Sequence, residues 1–181
     1  MPARNRETRS AHEPMSSPTE TSALVDQYRD RVRPEWIDEN DHMNMGYYVV
    51  VFDYATDAFF DYLGLDAEHK RTHRVTTFCL ETHVNYLREL RAGDALRFTT
   101  QLLGFDAKRM HYFHQMWHAD EGYLAATNEL MSLHVSQVTR QSAEIAPQVM
   151  RQLALLAESQ RALPVPPQAG RRIGLDAKPP A

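Results

Sequence analysis

Residues 36–65 read WIDENDHMNMGYYVVVFDYATDAFFDYLGL, and the fold turns on what begins at Met45. Val51, Phe52, Ala55, Ala58, Phe59, Tyr62 and Leu63 recur at three- and four-residue intervals, which is one stripe of an α-helix. Asn44 stands where an N-cap is expected, and Gly64 where a left-handed residue closes the last turn. The spacing predicts a helix over 45–63, roughly 28 Å long, enough to cross a small domain. Just upstream, six of the eight residues from Ile37 to Asn44 are Asp, Glu, Asn or His.

Working outward, 28–32 is short and extended, and Pro34 then favours a break. Downstream, everything from Val75 to Gln137 reads as strand. In TTFCLETHVNYLREL the residues Phe78, Leu80, Val84 and Tyr86 alternate with Glu81, His83 and Asn85, the period of a half-buried strand. RAGD, DAKR and ADEG are turns between three further strand segments, with Leu96, Phe98 and Leu102 sharing a face of the first. Pro147 opens a second helix, PQVMRQLALLAESQR, striped by Val149, Leu153 and Leu156. A strand, a long helix and four long antiparallel strands predict an α+β architecture, a sheet curled around the central helix. Such a sheet leaves edges and an outer face uncovered, so a homodimer or homotetramer is expected.

The totals agree with one soluble domain. The chain has 181 residues, 43% hydrophobic and 24% charged, enough for a single core. A net charge of -4 argues against a nucleic-acid partner, and no stretch approaches a membrane span. The one cysteine, Cys79, excludes an intrachain disulfide and points to a reducing, cytoplasmic setting. We expect it to be a small buried filler. The opening MPARNRETRSAHEPMSSPTETSA lacks the apolar middle of a secretory signal and is too polar to offset the entropy of ordering. Residues 1–26 are therefore expected to be a disordered extension. The folded domain is expected over 27–163 and a Pro/Gly-rich tail over 164–181, with Ile173 and Leu175 able to dock on the body.

The D-x-N-x-H-M-N run before the helix, with VNYLRELRAGD downstream, resembles the hotdog-fold acyl-CoA thioesterases of the 4-hydroxybenzoyl-CoA thioesterase superfamily over about residues 27–175. The resemblance implies thioester hydrolysis, with Asp38 at the position of the family's catalytic carboxylate and His42, Met43 and Asn44 at the end of its loop. Elementary electrostatics favours that placement. A helix N-terminus presents unpaired N–H groups and partial positive charge, so a thioester carbonyl aimed at Met45 and Gly46 gains stabilisation as its oxygen becomes an oxyanion. Asp38 then activates water or attacks the carbonyl itself, and the residues leave both routes open. Asn44 and His42 read first as cap and loop support. One departure stands out: Asp41 occupies a position where the family usually has Gly, which costs more if its φ is positive. The resemblance also implies an acidic group from the strand after the helix, hence Glu81, which otherwise reads as a solvated partner of His83.

Longer stretches, LETHVNYLREL, TQLLGFDAKRMHYFHQ and LPVPPQAGRRIGL, resemble the betainyl-CoA thioesterases of carnitine breakdown. A trimethylammonium group has no N–H to donate and needs aromatic faces and negative charge. Candidates are Trp36, Phe78, Tyr86, Tyr112, Phe113 and Trp117, with Glu81 or Asp53 as anionic partner. The phosphates of coenzyme A need cations, for which Lys108 and Arg109 are selected alongside Arg88, Arg91 and the Arg171–Arg172 pair. No cofactor is expected beyond the coenzyme A of the substrate. No metal is expected either, since strand alternation puts His111 on the face opposite His114 and His118.

Overall fold

Helix α1 runs Met45–Leu63 and is the rod around which the chain is wrapped. The computed structural model describes residues 23–175. Asn44 caps α1 by accepting the Gly46 amide, and Gly64, at φ +80°, closes the helix in the left-handed conformation that lacks a Cβ penalty there. Tyr48, Val51, Phe52, Ala55, Phe59, Phe60 and Leu63 are buried, whereas Tyr62, expected on the buried stripe, is exposed. Phe60 takes its place because the buried arc of the helix lies one residue over.

Strands β1 (Val25–Arg31), β2 (Val75–Tyr86), β3 (Ala95–Phe105), β4 (Arg109–His118) and β5 (Leu124–Ser136) form one antiparallel sheet in the order β1-β3-β4-β5-β2. A short helix α2 (Ala67–His73), not foreseen, fills the step between α1 and β2, capped by Asp66. Helix α3 (Pro147–Gln160) buries Val149, Leu153 and Leu156 against the far end of α1, as its stripe predicts. The architecture is the expected α+β wrap.

The expected extension over 1–26 lies outside the described residues as far as residue 22; β1 already begins at Val25, which is buried beside Leu153 and Leu156. Residues 176–181 of the expected tail also lie outside the described residues. Within the described part, Pro166 and Gln168 are buried, yet Ile173 and Leu175 stay exposed rather than docking.

Strand β2 departs most from its simple alternation. A bulge between Cys79 and Glu81 shifts the pairing with β5, so the faces exchange partway along. Val84 and Tyr86 stay on the α1 side, but Phe78 pairs with Leu133 on the opposite face. As the sheet's edge, β2 leaves Phe78, Leu80 and Tyr86 exposed. Cys79 is exposed too, not the buried filler expected.

His114 is the buried ionisable group at the centre. Its Nε2 lies 3.0 Å from Thr56 Oγ1, which itself donates to the Phe52 carbonyl, and its Nδ1 lies 2.8 Å from Thr100 Oγ1. Nε2 therefore carries the proton and Nδ1 accepts from Thr100. Burial holds this imidazole down at about 3. The unfolded chain takes up a proton near pH 6.5 that the fold refuses, so stability is complete above that pH and falls as the pH drops toward 3. Between pH 6.5 and 5 the loss from this group is about 2 kcal/mol. Chemical denaturation of wild type and His114→Gln at the two pH values checks it: the variant should be less stable at pH 6.5 and show a shallower decline toward pH 5.

Candidate active site

The polar run before α1 folds into a tight, heavily bonded loop. Ile37 bridges Met43, the Asp38 amide donates to the His42 carbonyl, and the Asp41 amide donates to the Asp38 carbonyl. Asp41 stands at φ +61°, the left-handed value at which Asp is costlier than Gly, although short polar side chains bear it better than most. The Met43 amide donates to Leu90 and the Asn44 amide to Trp36, fastening the loop to the body. Asp38 Oδ1 accepts the Asn40 amide at 2.9 Å and lies 3.8 Å from His42 Nδ1. This local turn holds the carboxylate in one orientation.

Asp38 and the tip of α1 line one cavity of about 460 Å³. Asn44, Met45, Tyr48, Tyr86 and Glu89 share it. The Gly46 amide is occupied by Asn44 Oδ1, which removes Gly46 from the oxyanion donors expected. Met45 is the first residue of the helix, and its amide has no partner among the described residues. It is the N–H open to a ligand at the positive end of the rod.

The Tyr86 hydroxyl donates to the Met45 carbonyl at 3.2 Å, which sets its ring beside that tip. Tyr48 and Tyr86 meet at 88°, centroids 5.2 Å apart, a two-walled aromatic corner. Tyr48 was missed: it lies on the helix tyrosine-valine run and reads as core, and only the end of β2 coming alongside gives it a role at a cavity. Glu89 was missed because it follows the strand, with no periodicity to mark it. Arg88 lines the same cavity, but its guanidinium is held 3.6 Å over the Tyr123 ring.

Several expected site residues lie elsewhere. Trp36 is buried, stacked on Tyr47 at 5.7 Å with the Arg33 guanidinium 4.7 Å from its ring, so it has no face left for a substrate. Tyr112 is fully buried against Phe59, its hydroxyl 2.8 Å from Ser132 Oγ; it is core. Phe78 faces outward, with Arg140 5.6 Å from its ring. Lys108 and Arg109 sit in the β3–β4 turn, bound to Asp106, roughly 30 Å along β3 from the loop that meets α1. Asp53, on the flank of α1, has its carboxyl pushed up by burial and by Asp57 and does not line the cavity.

Glu81 is separated from Asp38 within the protomer. It pairs with Met131, and His83 with Glu129, on the sheet face away from α1. There Glu81, His83 and His111 line a different cavity, of about 290 Å³. The polar face of β2 read from the alternation is present, and it is turned away from α1.

Residues 32–153 match the model of the thioesterase-like superfamily. The chain belongs to that superfamily. This thioesterase is 41% identical over 154 residues to the betainyl-CoA thioesterase of Pseudomonas aeruginosa, a match covering 85% of this chain and 97% of that one. It is 37% identical over 139 residues to an L-carnitine dehydrogenase/betainyl-CoA thioesterase of Ruegeria pomeroyi, covering 77% of this chain and 28% of that longer protein. Among solved structures, it superimposes with a TM-score of 0.79 and 32% identity on a Staphylococcus aureus protein solved in complex with CoA, covering 84% and 95% of the two chains. A putative thioesterase of Pseudomonas putida gives 0.73 and 36%, covering 85% and 98%. The fold is the hotdog fold, and the thioesterase is a thioester hydrolase.

Proposed function

We propose that this thioesterase hydrolyses betainyl-CoA to glycine betaine and coenzyme A, as part of carnitine catabolism. The observation that carries the reading is the conjunction at the tip of α1: one open amide, one fixed carboxylate and one perpendicular tyrosine pair around a single cavity. In a betainyl thioester the quaternary nitrogen is two bonds from the reacting carbon. A carbonyl held on the Met45 amide therefore brings the cation to the Tyr48–Tyr86 corner, where ring faces and the Asp38 and Glu89 carboxylates attract it. Asp38 activates water or attacks the carbonyl, the Met45 N–H stabilises the oxyanion, and coenzyme A departs as a thiolate without a strong acid to protonate it. His42 and Asn44 support the loop and the helix cap. The reaction needs no metal or cofactor of the protein's own. The likeness to named betainyl-CoA thioesterases supports the acyl group; other short acyl-CoAs are the neighbouring reading.

The test compares betainyl-CoA with tert-butylacetyl-CoA, the same shape with carbon in place of the charged nitrogen, by release of free thiol. Preference for the charged substrate is expected at roughly 10-fold or more in kcat/KM. A ratio near one would remove the betainyl assignment and leave a general short-acyl thioesterase. Absence of thiol release from any acyl-CoA would favour a non-catalytic acyl-CoA-binding module.

The working form is a homodimer, in the cytoplasm, where acyl-CoAs are made and no described helix would cross a membrane. Phe78 and Leu80 are exposed on the free edge of β2, as are Met45 and Val49 on α1, and a second copy laid along that edge would cover apolar surface. Leu80→Asp should shift the protein toward monomer in sedimentation; an unchanged mass would place the interface elsewhere.

A further inference from the structure

The turn that follows β2 carries two opposite charges to the cavity at the tip of α1. Arg88 and Glu89 are neighbours on this turn, and both line that cavity. Backbone bonds fix the turn: the Leu87 and Arg88 amides donate to the Ala125 carbonyl, and the Met43 amide donates to the Leu90 carbonyl at 2.7 Å. Tyr123, just before β5, fastens it from the other side, its hydroxyl donating to the Glu89 carbonyl at 3.0 Å. The Arg88 guanidinium lies 3.6 Å from the centre of the Tyr123 ring and makes no ion pair among the described residues. Behind that ring stands His118, its ring centre 4.9 Å away, with Asp94 and Glu121 facing it. Glu89 gives one oxygen to Arg91 at 3.0 Å, an exposed pair that solvent weakens.

An arginine beside a carboxylate ordinarily closes on it, because guanidinium and carboxylate match in a charge-assisted pair. In this cavity such closure would cancel the Glu89 charge and set a cation where the substrate's own cation has to sit. We infer that Tyr123 determines specificity for a cationic acyl group: its ring draws Arg88 aside and leaves Glu89 to the quaternary nitrogen. This deepens the betainyl reading above and rests on it. Tyr123 does not itself line the cavity, so it acts through Arg88 and Glu89 and is a positioning residue. An aromatic face suits the task. It attracts a guanidinium through its quadrupole, yet adds no net charge beside a cavity that must accept a cation. Asp94 and Glu121, on the far side of the ring, pull Arg88 the same way.

The test is the ratio of kcat/KM for betainyl-CoA to that for tert-butylacetyl-CoA, in which contacts to the shared coenzyme A cancel. Tyr123→Leu should lower this ratio roughly 3-fold or more, the size of an exposed cation–π or ion-pair contact. Tyr123→Phe keeps the ring and should stay near wild type. Adding Arg88→Gln to Tyr123→Leu should restore the ratio, since no guanidinium is left to close on Glu89. A Tyr123→Leu ratio equal to wild type overturns the inference. So does a fall that Arg88→Gln fails to restore, which would mark a structural role for the ring. A large rise on Arg88→Gln alone also overturns it, because Arg88 would then already oppose Glu89 in the wild type. The wild-type ratio tests the betainyl reading by itself and the change from that ratio tests Tyr123, so the two fail separately.

Discussion

Asp38→Asn is expected to lower kcat by roughly 10²- to 10⁴-fold on the best acyl-CoA, the range for loss of a positioned base or nucleophile. KM should change little, since the carboxylate acts mainly when the carbonyl is attacked. The substitution is well matched to its site. Asp38 Oδ1 accepts the Asn40 amide, and an asparagine oxygen keeps that bond, so the loop and the helix tip should stay in place. Asp41→Asn is the control for the second carboxylate of the run. Its φ of +61° suits Asn, and it does not line the cavity, so near-wild-type kcat is expected. Reversal of that order, with Asp38→Asn active and Asp41→Asn dead, would mean the wrong carboxylate has been identified. A single turnover in ¹⁸O-water then separates the two routes, because only direct attack can leave label in the Asp38 side chain.

The second large effect concerns selectivity. Tyr86→Leu should bring the betainyl-CoA to tert-butylacetyl-CoA ratio from roughly 10-fold or more down toward one, because an aliphatic wall packs both substrates but attracts only shape. Tyr86→Phe keeps the ring and loses only the 3.2 Å bond to the Met45 carbonyl, so it should retain most of the preference. Tyr86 is half exposed on an edge strand, and neither change threatens the core. If Tyr86→Leu keeps the full ratio, the charge is recognised elsewhere, and the carboxylates of Asp38 and Glu89 become the next candidates.

These tests follow from features that differ in how visible they were beforehand. The Asn44 cap, the helix it starts and the carboxylate six residues upstream of that cap were all legible, because capping and helical periodicity are local and repeat within a few residues. The strand segments were legible for the same reason. The faces of β2 were not, since one bulge at Cys79–Glu81 exchanges sides and strict alternation carries no mark of it. The bulge moved Phe78 outward, while Glu81 keeps the polar face that alternation gives it, the face turned away from α1 and Asp38. Trp36 was chosen as aromatic and near the motif and Tyr112 as aromatic, yet chain chemistry does not say whether a ring face is already taken.

By its own residues, then, the chain determined a long capped helix, a set of antiparallel strands and a carboxylate beside the helix start, since each depends on neighbours in sequence. Only the tertiary structure decided that Tyr48, from the helix, and Tyr86 and Glu89, some forty residues later, close one cavity around Asp38, and that the Arg88 guanidinium there lies over the Tyr123 ring. Those juxtapositions depend on strand order, on register and on which face each side chain leaves, quantities that contacts distant in sequence set.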